Sequence, residues 1–398
     1  MTPEIKQRIE QIRRGEVPEG YKKGKLGIVP EEWNETSFST LFTSTSEYTD
    51  DLDKYPLYSL TIEDGVTPKT ERYERSHLVK KEDSYKIVRP NDYAYNPMNL
   101  RFGSVARHKG NLPVAVSGYY DIFTTVHKSD LPFMDSFLTC DPMITYYNRV
   151  STGSLVEKQR VHFSQFLEFV LPLPSINERA KIAAILTTQD KVIELKEKRL
   201  AEKQRQKKYL MQQLLTGKKR LPGFSKEWKS VRLRNTLNVC HGQNQRNVEQ
   251  ENGVYPILGT GGEIGRTNDF LYDKPSILIG RKGSINKPMY METPFWTIDT
   301  LFYCKIKSGY HPKFLFFKFQ SINWNKYDES SGVPSLNAST IGSVDIFAPE
   351  FPEQTAIAEV LSAADREIDL LRQDIEQEKQ KKKALMQLLL TGIVRVKT

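Results

Sequence analysis

The residues that could carry out chemistry do not form an established catalytic or cofactor-binding pattern in this sequence. The glycine-rich run GTGGEIG, residues 259–265, lacks the lysine and the strand–loop–helix setting of a phosphate-binding loop, so it predicts a tight turn. The six histidines show neither metal-binding spacing nor a serine nucleophile to activate. The three cysteines lack zinc-finger spacing. We therefore predict that the chain catalyses no reaction and holds neither a cofactor nor a metal.

Basic and polar side chains alternate with aromatic ones in several predicted loops. Arg and Lys bind phosphates or the O6 and N7 atoms of guanine, whereas Asn and Gln match the N6 and N7 edge of adenine. For any single residue an ordinary solvated loop is the simpler interpretation. As clusters in a chain of net charge +9 and pI near 9.1, these loops favour double-stranded DNA as a partner. The predicted DNA-binding residues are Arg101, Arg107, Lys109, Tyr119, Tyr120, Gln243, Asn244, Arg246, Arg281, Lys282, Asn286 and Lys287.

The length and composition limit the classes of protein that fit. A chain of 398 residues is too long for one ordinary hydrophobic core, so two or more domains are expected. No run approaches the roughly eighteen apolar residues of a membrane span, and the first residues lack the apolar core of a secretion signal. We expect a cytoplasmic protein with no membrane partner.

A long segment occurs twice in the sequence, and we expect it to position the predicted DNA-binding loops. Residues 174–217 align without a gap with residues 349–392, which lie 175 positions further on, and 17 of the 44 aligned residues are identical. A fainter similarity precedes each copy, since KLGIVPEEW ends at Trp33 and RLPGFSKEW ends at Trp228. The chain therefore alternates a variable block and a repeat, twice.

Each repeat is predicted to be helical. Ser175 and Glu178 form a capping pattern in front of an apolar run, and the glycine that closes each copy suits the left-handed end of a helix. A second capping pattern, Ser362 to Asp365 in the later copy, predicts that a longer helix begins there. Thirty residues from Ser362 to Thr391 would span about 45 Å.

The repeats also carry a heptad seam that needs a partner. The first copy contains ten basic and five acidic residues, net +5, and the second contains six and nine, net −3. Opposite charges favour pairing of the two copies within one chain, side by side and antiparallel. Two unrelated, solvent-exposed helices are the alternative. The seam of the second copy is Leu361, Ile368, Ile375, Lys382 and Leu389.

Both variable blocks contain short β-type runs broken by Gly, Pro, Asn and Asp, such as VAVSGYYDIFTTV and SILIGRKG. The predicted fold class is α+β, with two β-rich globular domains separated by two long antiparallel helices that form an intramolecular coiled coil. The predicted segments are an N-terminal helix and linker at 1–24, a first domain at 25–173, a first helical repeat at 174–217, a second domain at 218–348 and a second helical repeat at 349–398.

This alternation resembles the specificity subunits of type I restriction–modification systems. The repeat pattern from Pro349 to the closing Leu-Met-Gln-x-Leu-Leu-Thr-Gly carries the resemblance, and YNPMNLRFGS and ILIGRKGSINK are similar to segments of the family's target-recognition domains. The resemblance implies that each variable domain reads one half of a bipartite, asymmetric DNA site. It also implies that the helices set the spacing and dock two modification subunits. Those partners would carry S-adenosylmethionine and methylate adenine, and restriction subunits, which are motor nucleases, would join for cleavage.

Two other functions are left open by the residues alone. A coiled-coil scaffold that binds only proteins would need no DNA-binding loops. A self-contained DNA methyltransferase would need cofactor glycines and an Asn-Pro-Pro-aromatic motif. The run YNPM, residues 95–98, comes closest, but Met98 replaces the second proline and Asn99 the aromatic residue, so a plain Asn-Pro turn is predicted.

Overall fold

The computed structural model describes residues 2–45, 47–69, 85–155 and 159–396, and it confirms the predicted α+β class. The chain forms two compact units. The first comprises Met1–Leu195 and Ile375–Thr398, and the second comprises Lys196–Asp374. Each unit therefore contains one β-rich domain together with part of each long helix. No helix among the described residues is long and apolar enough to cross a membrane.

The first unit contains thirteen strands among its described residues. The strands are β1 (Tyr21–Gly24), β2 (Gly27–Pro30), β3 (Asn34–Ser37), β4 (Phe42–Ser44), β5 (Tyr48–Thr49), β6 (Tyr58–Thr61), β7 (Gly65–Pro68), β8 (Tyr85–Val88), β9 (Tyr93–Tyr95), β10 (Val105–Arg107), β11 (Val114–Ser117), β12 (Asp121–Thr125) and β13 (Val170–Leu173). Its main sheet is antiparallel with the order β10-β9-β12-β4, and a three-stranded sheet has the order β11-β8-β5. Strands β13 and β3 pair separately.

Short helices complete the first unit. Thr2 caps the first of them by accepting a hydrogen bond from the Ile5 N–H, as its sequence position before a proline predicts. The helices are α1 (Pro3–Arg13), α2 (Phe38–Leu41), α3 (Leu131–Phe137), α4 (Asp141–Val150) and α5 (Phe163–Leu167), with 3-10 turns at Leu100–Phe102 and Lys128–Asp130.

The second unit is built in the same way. Its strands are β14 (Lys229–Arg232), β15 (Leu237–Cys240), β16 (Tyr255–Gly259), β17 (Gly262–Thr267), β18 (Ser276–Gly280), β19 (Met289–Met291), β20 (Trp296–Thr297), β21 (Leu301–Ile306) and β22 (Asp345–Ala348). Its short helices are α7 (Leu233–Thr236), α8 (Pro312–Ser321) and α9 (Ala338–Ser343), with a 3-10 turn at Trp324–Tyr327. The glycine-rich run forms the tight turn that its sequence predicts, between β16 and β17.

The main sheets of the two units share one strand order. The second unit has β15-β21-β18-β19 where the first has β4-β12-β9-β10. In both units the outer strand, β4 or β15, follows a four-residue helix, and a separate pair of strands joins the start of the domain to its end. The two variable blocks therefore share an architecture that their dissimilar sequences do not reveal.

Each repeat forms one unbroken helix, α6 (Ile176–Leu214) in the first copy and α10 (Phe351–Leu390) in the second. The Ser175 hydroxyl accepts the Glu178 N–H, which confirms the capping residue. The prediction of a new helix start at Ser362 was wrong, because the apolar seam on both sides of that serine keeps one helix packed along its length. At 1.5 Å per residue, 40 residues span about 60 Å rather than 45 Å.

The core of each unit joins the β-rich domain to the ends of both long helices. In the first unit, the start of α6 (Ile182, Leu186) and the end of α10 (Leu389, Leu390) belong to the same buried cluster as the domain's aromatic residues. In the second unit, Leu214 at the end of α6, the following Leu215 and the start of α10 pack with the domain around Phe314. Burial of this apolar surface fixes each domain onto the helices.

Candidate nucleic-acid interface

Two loops of the first unit leave the main sheet at the same end. Tyr95, the last residue of β9, lies opposite both Val105, the first residue of β10, and Asp121, the first residue of β12. The loop 96–104 and the turn 118–120 therefore lie at one edge, which we call the first sheet end. The Asn96 side chain accepts the Met98 N–H, which forms the Asn-Pro turn that the sequence predicts.

Arg101 lies within the 3-10 turn of this loop. Its Nη1 donates to Gln159 at 3.3 Å, and its guanidinium carbon lies 4.5 Å from the centre of the Phe102 ring. Its Nε is buried and has no hydrogen-bond partner among the described residues.

The two tyrosines of the turn 118–120 differ in exposure. Tyr119 is 60% exposed, whereas Tyr120 packs against the smaller core cluster of the first unit. Burial of Tyr120 raises the pKa of its hydroxyl. Of these two rings, only Tyr119 extends into solvent.

Arg107 and Lys109 lie at the opposite end of the sheet. Arg107 forms three hydrogen bonds to Asp135, at 2.9, 3.2 and 2.7 Å, and a fourth to Asn91 at 2.6 Å. The Asp135 hydrogen bond raises the pKa of Arg107. Lys109 lies 3.6 Å from the same carboxylate and is exposed. The structure does not bring these two residues together with Arg101, and it gives Arg107 a structural partner.

Three loops meet at the corresponding edge of the second unit, the second sheet end. Cys240 lies opposite Tyr303, and Gly280 lies opposite Leu301, so the loops 241–247 and 281–287 leave the sheet beside the turn 298–300. The Gln243 N–H donates to the Thr297 carbonyl and the Arg281 N–H donates to the Thr300 carbonyl, both at 2.8 Å. A Cβ atom at position 242 would lie 2.0 Å from the Ile298 carbonyl oxygen, so this approach requires glycine.

All seven predicted residues of the second unit lie on these loops. Arg246, Lys282 and Lys287 are exposed, and Arg281 is half-buried with its Nη1 on the Asp299 carbonyl at 3.2 Å. The other three are polar residues whose backbone or side chain orders the loops: Gln243 accepts the Trp296 indole N–H, Asn244 accepts the Arg246 N–H, and Asn286 accepts the Trp324 N–H.

The two long helices run antiparallel in both units, as the charges of the repeats predict. In the second unit, Lys196 pairs with Asp374 at 2.8 Å, and Lys203, further along α6, pairs with the earlier Glu367 at 2.9 Å. In the first unit, Asp190 pairs with Lys382 at 2.5 Å. Of the ion pairs described between the helices, most join a cation of the first copy to an anion of the second.

A buried Trp–Glu–Arg cluster occurs once in each unit. In the first unit, Glu178 accepts two hydrogen bonds from Arg395, at 2.7 and 2.9 Å, and one from the Trp33 indole at 3.3 Å. In the second unit the same cluster consists of Glu353, Arg220 and Trp228, with distances of 2.6, 2.7 and 3.2 Å. These clusters were not predicted from the sequence. A signal was present, because the two glutamates and the two arginines are each separated by the repeat distance of 175 positions.

Large apolar side chains are exposed at matching positions of the two helices. Leu195 is 55% exposed and Leu370, 175 positions later, is 65% exposed. Ile176 and Phe351, separated by the same 175 positions, are 58% and 46% exposed. Each unit therefore presents the same two exposed apolar positions, which lie 19 residues apart on one helix and which we together call the helix patch.

Comparisons with known proteins agree on one family. The family model of the type I restriction modification DNA specificity domain matches residues 225–380. A protein named as the type I restriction enzyme MjaX specificity subunit of Methanocaldococcus jannaschii is 25% identical over an alignment of 424 residues, covering 96% of this chain and 98% of that protein. The MjaVIII specificity subunit of the same organism is 27% identical over 270 residues, covering 58% of this chain and 64% of that protein.

Solved structures share the fold. The S subunit of the type I restriction–modification system of M. genitalium matches with a TM-score of 0.59 over 90% of this chain and 96% of its own, at 14% identity. A chain from a structural study of complex assembly and conformational transition in the type I R-M system matches with a TM-score of 0.56, over 92% of this chain and 99% of its own, at 14% identity.

Proposed function

Because this chain belongs to the family of type I restriction–modification specificity subunits, we propose that it supplies the sequence specificity of such a complex and performs no catalysis itself. Each sheet end reads one half of a bipartite DNA site. One observation carries this proposal: two domains with the same strand order present basic loops of different sequence at the same edge of the main sheet. A shared scaffold with different loops gives two different half-sites.

The chemistry of the second sheet end suits duplex DNA. Arg246, Lys282 and Lys287 carry positive charge on exposed loops and can contact phosphates or guanine. Asn and Gln residues on the same loops can match adenine. At the first sheet end the candidates are Arg101 and Tyr119. Arg107 is assigned to folding rather than to DNA, because Asp135 and Asn91 occupy its guanidinium.

The helix patches favour two copies of one protein partner. Large exposed apolar side chains that recur at the same repeat position are expected where the same surface docks twice. We assign the two helix patches to the docking of two modification subunits, which would carry S-adenosylmethionine. Restriction subunits would join the complex for cleavage. The unbroken helices α6 and α10 would then set the number of unspecified bases between the half-sites.

The reading role is tested with chimeras and loop variants in the complex with modification subunits. Replacing residues 218–348 with the corresponding block of another specificity subunit should change only one half of the methylated sequence in a bacterial methylome. Arg246→Ala should relax the same half and weaken binding by roughly 10-fold, since a bidentate contact contributes about 1–3 kcal/mol. A methylome with both halves altered, or neither, would contradict the proposal. A coiled-coil scaffold would show no salt-dependent mobility shift on DNA.

The docking role is tested on the apolar pair. Leu195→Ser and Leu370→Ser should each remove one modification subunit from the complex, and the double variant should remove both, as measured by mass photometry. Val254→Ser, an equally exposed apolar position outside the helices, is the control. If the double variant still binds two modification subunits with unchanged affinity, the helix patch is not the docking surface.

A further inference from the structure

One aromatic side chain at the first sheet end stays half-exposed and belongs to neither described core cluster of the first unit. Phe102 is 50% exposed, although the preceding Leu100 is fully buried. The Arg101 guanidinium lies over the ring at 4.5 Å. A phenylalanine half-exposed beside a stacked guanidinium presents a flat apolar surface next to a positive charge.

The turn that carries this ring is held firmly. Gly103 adopts a left-handed conformation with φ of 91°, and a Cβ atom there would touch Ile144 of α4 at 3.4 Å. Asn148 of the same helix donates to the Arg101 carbonyl at 2.8 Å. Because α4 anchors the backbone of the turn, the segment that carries the ring loses little freedom when it binds.

We propose that Phe102 is a wedge that enters the DNA at the half-site read by the first unit and fills one opened base step. This inference rests on the proposed function. Apolar side chains inserted at a base step offset part of the lost stacking, and a neighbouring arginine neutralises the phosphates drawn together by the kink. An opened step also eases extrusion of a nearby base, which an adenine-methylating partner requires.

The corresponding loop of the second unit carries no exposed aromatic side chain. The loop after β18, which has the same place in the strand order as the loop of Phe102, carries Ile285, and that side chain is buried. Its exposed side chains are charged or polar, namely Lys282, Ser284, Asn286 and Lys287. The two halves of the site are therefore read in different ways, with distortion of the duplex expected only in the half read by the first unit.

The test uses the complex of the full chain with modification subunits. Duplexes contain the sequence methylated in cells that express the system, with 2-aminopurine replacing each adenine on either strand of the first half-site and its flanking base pairs in turn. Its fluorescence rises when stacking is broken. We expect one position to brighten several-fold with the wild-type complex. Phe102→Ala should abolish the rise and weaken binding roughly 10-fold, since stacking of a base on an aromatic ring contributes about 1–3 kcal/mol. Phe102→Trp should retain both.

Leu112→Ala is the matched control, because Leu112 is 73% exposed in the loop at the opposite end of the same sheet. It should change neither fluorescence nor affinity. Specific binding by the wild-type complex without any bright position, or an unchanged bright position in Phe102→Ala, would overturn the wedge and leave the proposed function intact. Absence of specific binding by the wild-type complex would overturn both.

Discussion

The buried carboxylate of Glu178 depends on one arginine near the end of the chain. The Glu178 side chain is 2% exposed and its two hydrogen bonds from Arg395 are 2.7 and 2.9 Å long. Arg395→Met leaves the carboxylate with the Trp33 indole as its remaining described partner. Removing one member of a buried ion pair costs about 3–5 kcal/mol. Because the Arg395 side chain is 33% exposed, we expect the lower end, about 3 kcal/mol.

The second unit provides a matched control for this perturbation. Arg220→Met removes the same bonds from Glu353, whose side chain is 4% exposed. Hydrogen exchange followed by mass spectrometry separates the two effects. Arg395→Met should lower protection by about 3 kcal/mol at the start of α6 and the end of α10, and Arg220→Met should do so at the end of α6 and the start of α10.

A double variant identifies the buried charge as the cause. Glu178→Gln with Arg395→Met removes both charges, so it should recover about 2 of the 3 kcal/mol. The explanation fails if Arg395→Met costs less than about 1 kcal/mol, if the double variant is no more stable than the single one, or if the loss of protection appears in the second unit.

Three further predictions follow from contacts of single side chains. Lys203→Glu should lower the stability of the second unit by about 0.5–1 kcal/mol, and adding Glu367→Lys should restore the stability in the double variant. Both effects, measured by urea unfolding, should be smaller in 1 M salt. Burial lowers the pKa of Lys318 from 10.5 to about 8. As the pH rises, the folded protein therefore releases this proton before the unfolded chain does. The stability of the protein relative to Lys318→Met should rise between pH 8 and 10, by at most about 1.4 kcal/mol per pH unit. A difference in urea midpoint that does not change with pH would contradict the burial of this lysine. Arg107→Ala should destabilise the first unit by about 2–4 kcal/mol in thermal unfolding and leave the recognised sequence unchanged. Altered specificity at normal stability would contradict the assignment of Arg107 to folding.

Local patterns explain what could be predicted from the sequence. The apolar β-type runs VAVSGYYDIFTTV and SILIGRKG became β11, β12 and β18, because a run of that composition must bury one or both faces in a sheet. The heptad seam and the opposite charges of the repeats predicted the antiparallel helices. These features depend on neighbours at fixed spacing along the chain, and such spacing is visible in a sequence.

Features that depend on distant partners could not be predicted in the same way. Arg107 has the residue type of a DNA contact, but Asp135, 28 positions away, occupies its guanidinium. The cluster around Glu178 joins residues 217 positions apart. The common strand order of the two domains leaves no mark on their sequences because many side chains satisfy the same pattern of buried and exposed positions. The DNA-binding residues remain predictions.

Charges that flank the apolar seam of the long helices determine which repeats can pair. Lys196 faces Asp374, and Arg199 faces Glu367 at 3.8 Å. The first-copy counterpart of Asp374 is Arg199 (374 − 175 = 199), so two first-copy helices in this register would place Lys196 against Arg199. Two second-copy helices would place Glu367 against Asp374. Both self-pairings juxtapose like charges, and only pairing of one copy with the other matches them. These charges flank a seam in which Ile193, Ile368 and Ile375 are buried, so they favour the pairing of unlike repeats without giving up that apolar packing.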